Sequence, residues 1–368
     1  MSSYNPAYWP TNGWNTSSPE AQGVNPQKIL EMDNYIDNYI RYYLDTLLII
    51  KNGYLIYERY PSGYYDENSL HDIHSTTKSF TSTLIGIAID KGYIGGVDDY
   101  ILDFFPNKII QNMNSWKQTI RLEHLLTMTA GFQWEDIVNY FIMLAMSDWA
   151  QYVLDQPMTD SPDTRWNYNS GVSHLLSAIL EQVTPNGTLA FAEEYLFEPL
   201  GITDYTWQEN LGIPAGGAFL HLKAKDMAKL GYLFLMEGKW ENQQIVSKNW
   251  VSQAIKPSVI LPYEMEPYTG YGYQWWGLYW GKDYSARALY EQNVFVIPDL
   301  DMVVLALGNF NFFDPTDLLD YFIFPASGYV ILNPYIALLI FLPVLSLLFI
   351  VPFIVNNQSL KRKLRERK

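Results

Sequence analysis

Ser75-Thr76-Thr77-Lys78 sets a hydroxyl and an amine three residues apart at the start of a helical stretch. Residues at i and i+3 share one helix face, so the Lys78 amine can reach the Ser75 hydroxyl. Serine is a weak nucleophile until a neighbour takes its proton, and lysine can take it when burial or a nearby cation lowers its pKa. A helix N-terminus adds backbone N–H donors and positive potential for a developing oxyanion. The spacing alone also fits a serine and a lysine on an ordinary surface helix. A second group, Tyr168-Asn169-Ser170, stands in a loop just before another helical run, SGVSHLLSAILEQVT. A tyrosinate near cations could act as a base or return a proton to a leaving group. It also fits a plain loop tyrosine in a chain with 29 of them. His71 and His74 could share a helix face, but no carboxylate-rich pattern accompanies them, so neither metal nor cofactor is expected. There is no GxSxG, HExxH or P-loop, and Gly270-Tyr271-Gly272-Tyr273 lacks the third glycine of a dinucleotide fingerprint.

These groups need a scaffold. The chain has 368 residues, 48% of them hydrophobic, enough for one large composite domain or two smaller ones. Ile29, Met32, Ile36 and Ile40 recur at helical spacing within 26–44. In LLIIKNGYLIYERY, two apolar runs flank Asn52-Gly53, the pair that favours a two-residue hairpin turn. Residues 75–91 read as a helix ending at Gly92. Helical patterns then dominate from about 97 to 255, including 122–132, 170–184, 188–202 and 224–238. Strands return at Asn293–Ile297 and Met302–Leu307, joined by a turn at Pro298–Asp301. Strands at both ends with helices between predict an α+β fold. One antiparallel sheet is expected from about 45–60 and 270–310, with the helical region inserted.

Charge divides the chain. Residues 1–334 hold 18 basic and 38 acidic side chains, a net −20 that repels phosphate backbones and makes nucleic acid an unfit partner. No cysteine is present, which excludes disulfides and thiolate chemistry. Residues 335–355, YIALLIFLPVLSLLFIVPFIV, are 21 residues without a charge, the length of a bilayer-spanning helix. Six basic residues follow between Lys361 and Lys368, and the positive-inside rule puts such a tail in the cytoplasm. The expected plan is a body at 1–328, a transmembrane helix at 329–356 and a basic tail at 357–368. The body is then expected outside a cell membrane crossed once. MSSYNPAYWPTNGW has no basic or apolar signal-peptide region, so a tail anchor with the body in the cytoplasm is the alternative.

Five segments in order, HDIHSTTKSFTSTLIGIAIDKGYI, LEHLLTMTAGFQW, DTRWNYNSGVSHLLSAILE, LFEPLGI and GGAFLHLKAKDMAKLGYLFLMEGKW, resemble the serine β-lactamase-like hydrolases. That family includes class C β-lactamases, DD-peptidases, β-lactamase-fold esterases and 6-aminohexanoate-oligomer hydrolases. The resemblance runs from about Trp9 to Leu307. It implies a β-lactamase/transpeptidase-like fold and acyl transfer, with Ser75 as nucleophile, Lys78 as its partner and Tyr168 as the tyrosine of the family's Tyr-x-Asn motif. Ser170 fills the third place of that motif, as in the esterase and amide-oligomer branch, and would bond near Lys78. The Ser75 N–H would be one oxyanion donor. The family's Lys-Thr-Gly or His-Gly-Gly strand corresponds here to Ala288–Gln292. Leu289 takes the place of the cation or imidazole, Tyr290 and Glu291 replace the glycines, and Gln292 would supply the second oxyanion donor. Without a cation there, β-lactams and D-Ala peptides lose their carboxylate anchor, unless Arg287 faces the cleft. The implied enzyme is a membrane-anchored hydrolase of small-molecule or peptide-like esters or amides working through an acyl-enzyme. The competing reading is a weak or inactive relative that binds a surface ligand or partner.

Overall fold

Asn52 and Gly53 take φ of 51° and 78°, the backbone that a two-residue hairpin turn matching strand twist requires. They do so in a computed structural model that describes residues 6, 8–262, 265, 267–278, 282–309 and 313–329. The expected membrane span at 335–355 and the basic tail lie outside the described residues. Among the described residues no helix is long and apolar enough to cross a membrane.

Asn25 caps α1 (Pro26–Tyr35), which leads into β1 (Leu44–Lys51), the turn and β2 (Tyr54–Arg59). β3 (Leu70–Asp72) runs into a 3-10 turn at His74–Thr76 and then α2 (Thr77–Asp90). The helical region holds α3 (Leu122–Leu126), α4 (Asp136–Leu144), α5 (Trp149–Asp155), α6 (Ser170–Val183), α7 (Gly187–Ala192) and α8 (Glu198–Leu200). β4 (Tyr205–Trp207), a hairpin of β5 (Glu209–Asn210) and β6 (Ile213–Pro214), and β7 (Leu220–Lys223) precede α9 (Ala224–Leu235). A second small hairpin, β8 (Lys239–Trp240) and β9 (Gln243–Gln244), and α10 (Lys248–Ile255) follow. Next come β10 (Val259–Ile260), β11 (Tyr268–Tyr271), β12 (Trp276–Leu278), β13 (Tyr284–Ala288), β14 (Gln292–Ile297) and β15 (Met302–Gly308), and two short helices, α11 (Pro315–Leu318) and α12 (Phe324–Ala326), end the described chain.

The main sheet has the order β10-β11-β12-β13-β14-β15-β1-β2 among the described residues. The last long strand therefore lies beside the first. Leu48 pairs with Leu305 and Ile50 with Val303, and β14 and β15 are buried throughout. Such unbroken apolar strands need cover on both faces. α9 supplies part of it and approaches closely at Gly231, where an added Cβ would meet Val294 at 2.6 Å and Val303 at 2.9 Å.

α2 is buried along nearly its whole length, so its small hydroxyls need partners inside the protein. Ser79 donates to the Gln274 carbonyl, Thr81 to Gly216 and Ser82 to Tyr273. These bonds hold α2 between the sheet and the helical region, where its first turn meets both.

Two features depart from the sequence expectation. The helix expected over 122–132 stops at Leu126, because Met128 and Gly131 take left-handed φ of 59° and 84°. At Gly131 a Cβ would sit 2.2 Å from the Asp160 carbonyl oxygen, so the chain turns where only glycine fits. A three-stranded sheet, β3-β7-β4, lies apart from the main sheet. Its strands are three or four residues long, too short to show a period of two.

Candidate active site

Ser75 sits in the 3-10 turn just before α2, not within the helix proper. His74 ahead of it has φ 44°, a left-handed conformation costly for a non-glycine residue and concentrated at functional sites. Asp72 holds it there, accepting the His74 backbone N–H at 2.8 Å and facing its Nδ1 at 3.2 Å. The kink brings the half-buried Ser75 hydroxyl to the wall of a cavity of about 590 Å³.

Lys78 lies one turn on and is only 2% exposed. Its Nζ donates to Ser75 Oγ at 2.8 Å and to the Gly217 carbonyl at 2.8 Å. Gly216 and Gly217 let the chain pass this close. A Cβ on Gly216 would lie 2.2 Å from the Ser173 carbonyl oxygen, and one on Gly217 would lie 2.7 Å from that of Ser170. Burial pulls Lys78 down to about 8, while the Asp136 carboxylate works in the opposite direction. A lysine in that range is partly neutral near physiological pH and can accept the Ser75 proton.

Tyr168 arrives from the loop before α6, whose first turn is capped by Asn169 accepting the Val172 N–H. Its ring centre is 5.0 Å from Lys78 Nζ, and the Ser75 hydroxyl is near enough to act on the Tyr168 hydroxyl. Trp276 and Trp166 hold the ring, with centres 5.8 and 6.2 Å away. Burial first, and Asp136 second, push its pKa above the ordinary value, while Ser75 and Arg287 only partly offset them. Tyr168 is therefore a phenol here and not the tyrosinate that sequence reasoning allowed. Lys78 is the group fit to be the base, and the Tyr168 hydroxyl is fit to relay a proton.

Asp136 escaped the sequence reading. It opens α4, and only tertiary packing brings it to the cavity wall. Its Oδ1 accepts Trp134 Nε1–H at 2.8 Å and the Ser170 N–H at 2.6 Å, and its Oδ2 accepts the Ser170 hydroxyl at 2.9 Å. The Ser170 hydroxyl thus bonds the carboxylate that acts on Lys78, where the resemblance has an amide near that lysine. Ser170 lines the cavity and holds the carboxylate that acts on Lys78 and Tyr168.

The third motif needs a correction. The strand that lines the cavity is β13, and Leu289-Tyr290-Glu291 form the turn that follows it. Tyr290 and Glu291 both have left-handed φ, 59° and 60°. The two places where the resemblance has glycine thus keep a glycine-like backbone under bulkier side chains. Gln292 begins β14, is 4% exposed and does not line the cavity. Its amide donates to the Gly308 carbonyl, and its own carbonyl accepts Thr76 Oγ1–H at 3.2 Å. It ties the Ser75 turn to the sheet. Arg287, whose direction strand alternation left open, does line the cavity, its guanidinium 4.4 Å from the Tyr268 ring centre and 5.8 Å from that of Trp276. His71 and His74 go to different partners, His71 stacking on Tyr65 at 4.0 Å and His74 pairing with Asp72.

The rest of the cavity is mostly apolar, with Ile137, Tyr140, Phe141 and Leu144 from α4 facing Phe219, Leu289 and Trp276. A nucleophile beside a partly neutral amine, a phenol and an apolar chamber can carry out acyl transfer.

Known proteins share this arrangement of elements. EstCE1, described as a hydrolase with promiscuous acyltransferase activity, superposes with a TM-score of 0.66 at 16% identity, covering 84% of this chain and 99% of that one. A structure provisionally named a 6-aminohexanoate-dimer hydrolase, from Bacillus anthracis, gives 0.64 at 20% identity, covering 80% and 81%. At these identities the likeness concerns the fold. In sequence, a protein of Escherichia coli K12 provisionally named a D-alanyl-D-alanine carboxypeptidase is 24% identical over 216 residues, 51% of this chain and 49% of that protein. The match thus spans about half the length of such curated relatives. The family model for Beta-lactamase matches residues 36–324, from the end of α1 to the last described helices. With that match enclosing Ser75, Lys78 and Tyr168, the chain belongs to the beta-lactamase family of serine hydrolases.

Proposed function

We propose that this protein is a membrane-anchored serine hydrolase that cleaves esters or amides through an acyl-enzyme on Ser75. The observation that supports this most is the buried Lys78 amine 2.8 Å from Ser75 Oγ. In the proposed reaction Ser75 Oγ bonds to the substrate carbonyl carbon while its proton passes to neutral Lys78. The tetrahedral oxyanion is met by the Ser75 N–H. It collapses as the bond to the leaving alcohol or amine breaks, and that group takes the proton from Lys78 through the Tyr168 hydroxyl. Water then adds to the acyl-Ser75 ester and gives a proton to the same pair, which returns it to Ser75 Oγ as the ester C–O bond breaks and the carboxylic acid leaves. Trapping with a fluorophosphonate tests the reading.

Asp136 tunes the step. Its carboxylate works against the drop in Lys78, so Asp136→Asn should move the midpoint of the pH–rate curve to lower pH. The amide keeps an oxygen for Trp134 and the Ser170 N–H. The measurement is the rate on p-nitrophenyl butyrate from pH 6 to 10, and an unmoved midpoint counts against a charge effect of Asp136.

The chamber suits a neutral acyl group. Asp136 and Glu291 face the same space as Arg287, whose charge is already engaged with aromatic faces. p-Nitrophenyl butyrate is therefore expected to react faster than a chromogenic cephalosporin. A second reading rests on Arg287, the cation that could hold a substrate carboxylate, in line with the carboxypeptidase name of the Escherichia coli relative. Release of D-alanine from a D-Ala-D-Ala peptide faster than butyrate turnover favours that reading.

Membrane attachment rests on the uncharged stretch 335–355 and the basic tail. The described residues up to Tyr329 form one compact unit. The full chain is expected to stay with membranes after alkaline carbonate extraction, and a chain ending at Tyr329 to be released with a cooperative thermal transition. Release of the full chain contradicts the anchor.

A further inference from the structure

The outer face of α4 is the wrong kind of surface for water. Ile137, Val138, Phe141 and Ile142 are 66, 55, 67 and 41% exposed. No charged residue occurs between Asp136 and Asp148. A surface helix normally turns polar residues outward. Across the cavity mouth Leu289 and Tyr290 are also exposed, at 59 and 41%. Single exposed apolar residues need no explanation, but a contiguous group of them marks an interaction surface. Ile137, Phe141, Leu289 and Tyr290 line the catalytic cavity as well, so this surface is its apolar rim. The hairpin tip Leu211, 70% exposed, is tied near the end of α4, where the Asn210 side chain bonds the Ser147 carbonyl and the Trp149 N–H.

The sequence past the described residues says what meets this rim. It carries 21 uncharged residues at 335–355 and then a basic tail, a bilayer tether by length and flanks. A tether holds the body at high effective concentration beside lipid. We infer that the α4 face and the Leu289-Tyr290 turn dock on the bilayer surface, and that the substrate is a lipid ester or amide whose acyl chain passes from the bilayer into the Ser75 cavity. The inference rests on the reading of Ser75 as an acyl-transfer nucleophile. α4 carries no lysine or arginine and the body is net acidic, so docking is by apolar insertion and needs no anionic lipid.

Two readouts on the full chain in phosphatidylcholine vesicles test it. The chain has no cysteine, so Val138→Cys accepts a single bimane fluorophore, here at a position outside the cavity lining. The label should be quenched by nitroxide-bearing lipid and shielded from iodide. Quenching by iodide and not by lipid overturns the docking whether or not Ser75 is catalytic. The double variant Val138→Gln, Ile142→Gln keeps good helix formers. It should lower hydrolysis of bilayer-dissolved p-nitrophenyl palmitate about 10-fold or more, with p-nitrophenyl butyrate in water unchanged. An unchanged palmitate rate, or an equal fall on both esters, overturns the inference. Failure of the wild type on both esters strikes the catalytic reading instead, and the quenching result then decides the docking alone.

Discussion

Lys78→Met is expected to lower p-nitrophenyl butyrate turnover about 100-fold or more, the usual worth of a positioned general base. The side chain is nearly isosteric, so the cavity wall should stay in place while the proton acceptor is lost. The wild-type rate should rise with pH through about 8, because burial brings Lys78 down to that value from its ordinary 10.5 and only the neutral amine can deprotonate Ser75. The variant should lose that rise. Stability should move the other way. With the folded-state pKa depressed, the unfolded chain binds more protons between pH 8 and 10.5, so folding stability contributed by this group grows as pH rises through that window. Below it the buried ammonium is a cost, and Lys78→Met should hold or raise Tm at pH 7 even though Ser75 and Gly217 lose a donor. A fall in activity together with a fall in Tm of many degrees would point to unfolding and not to a lost base.

Ser75→Ala should take turnover down to background, a loss of about 1000-fold or more, as when a nucleophile is removed elsewhere. The substitution deletes one half-buried oxygen and leaves the turn at His74–Thr76 with its backbone bonds. Its partners define what remains. Lys78 keeps the Gly217 carbonyl, and Tyr168 keeps its aromatic neighbours. Fold and cavity should therefore persist, and a ligand that fills the apolar chamber should bind the variant as it binds the wild type. Retained hydrolysis would move the nucleophile elsewhere.

Ser75 and Lys78 were legible because their relation is local, set by one helical turn. Tyr168 was legible through its place ahead of an apolar-periodic helix, and the hairpin through Asn52-Gly53. The sheet could be read from its ends because β1, β14 and β15 are long apolar runs. The rest depends on contacts that no spacing records. Asp136 is 58 residues from Lys78 in sequence and acts on it only because α4 folds over the cavity. The partner of Ser170 follows from the same packing. That Gln292 faces Thr76 and Gly308 and not the cavity depends on the pairing of β14 with its neighbours, which the motif does not record. Arg287 could be named but not aimed, since one residue of register decides which face a strand side chain takes. The positive φ of Tyr290 and Glu291 runs against their residue types, so no local preference announced it.

The most direct measurement is fluorophosphonate labelling of the full chain followed by peptide mass spectrometry. The account predicts one adduct per chain, on the peptide that carries Ser75, formed faster as pH rises through about 8 and lost in Ser75→Ala. An adduct on another serine, or none on protein whose circular dichroism and thermal transition show it folded, would contradict it.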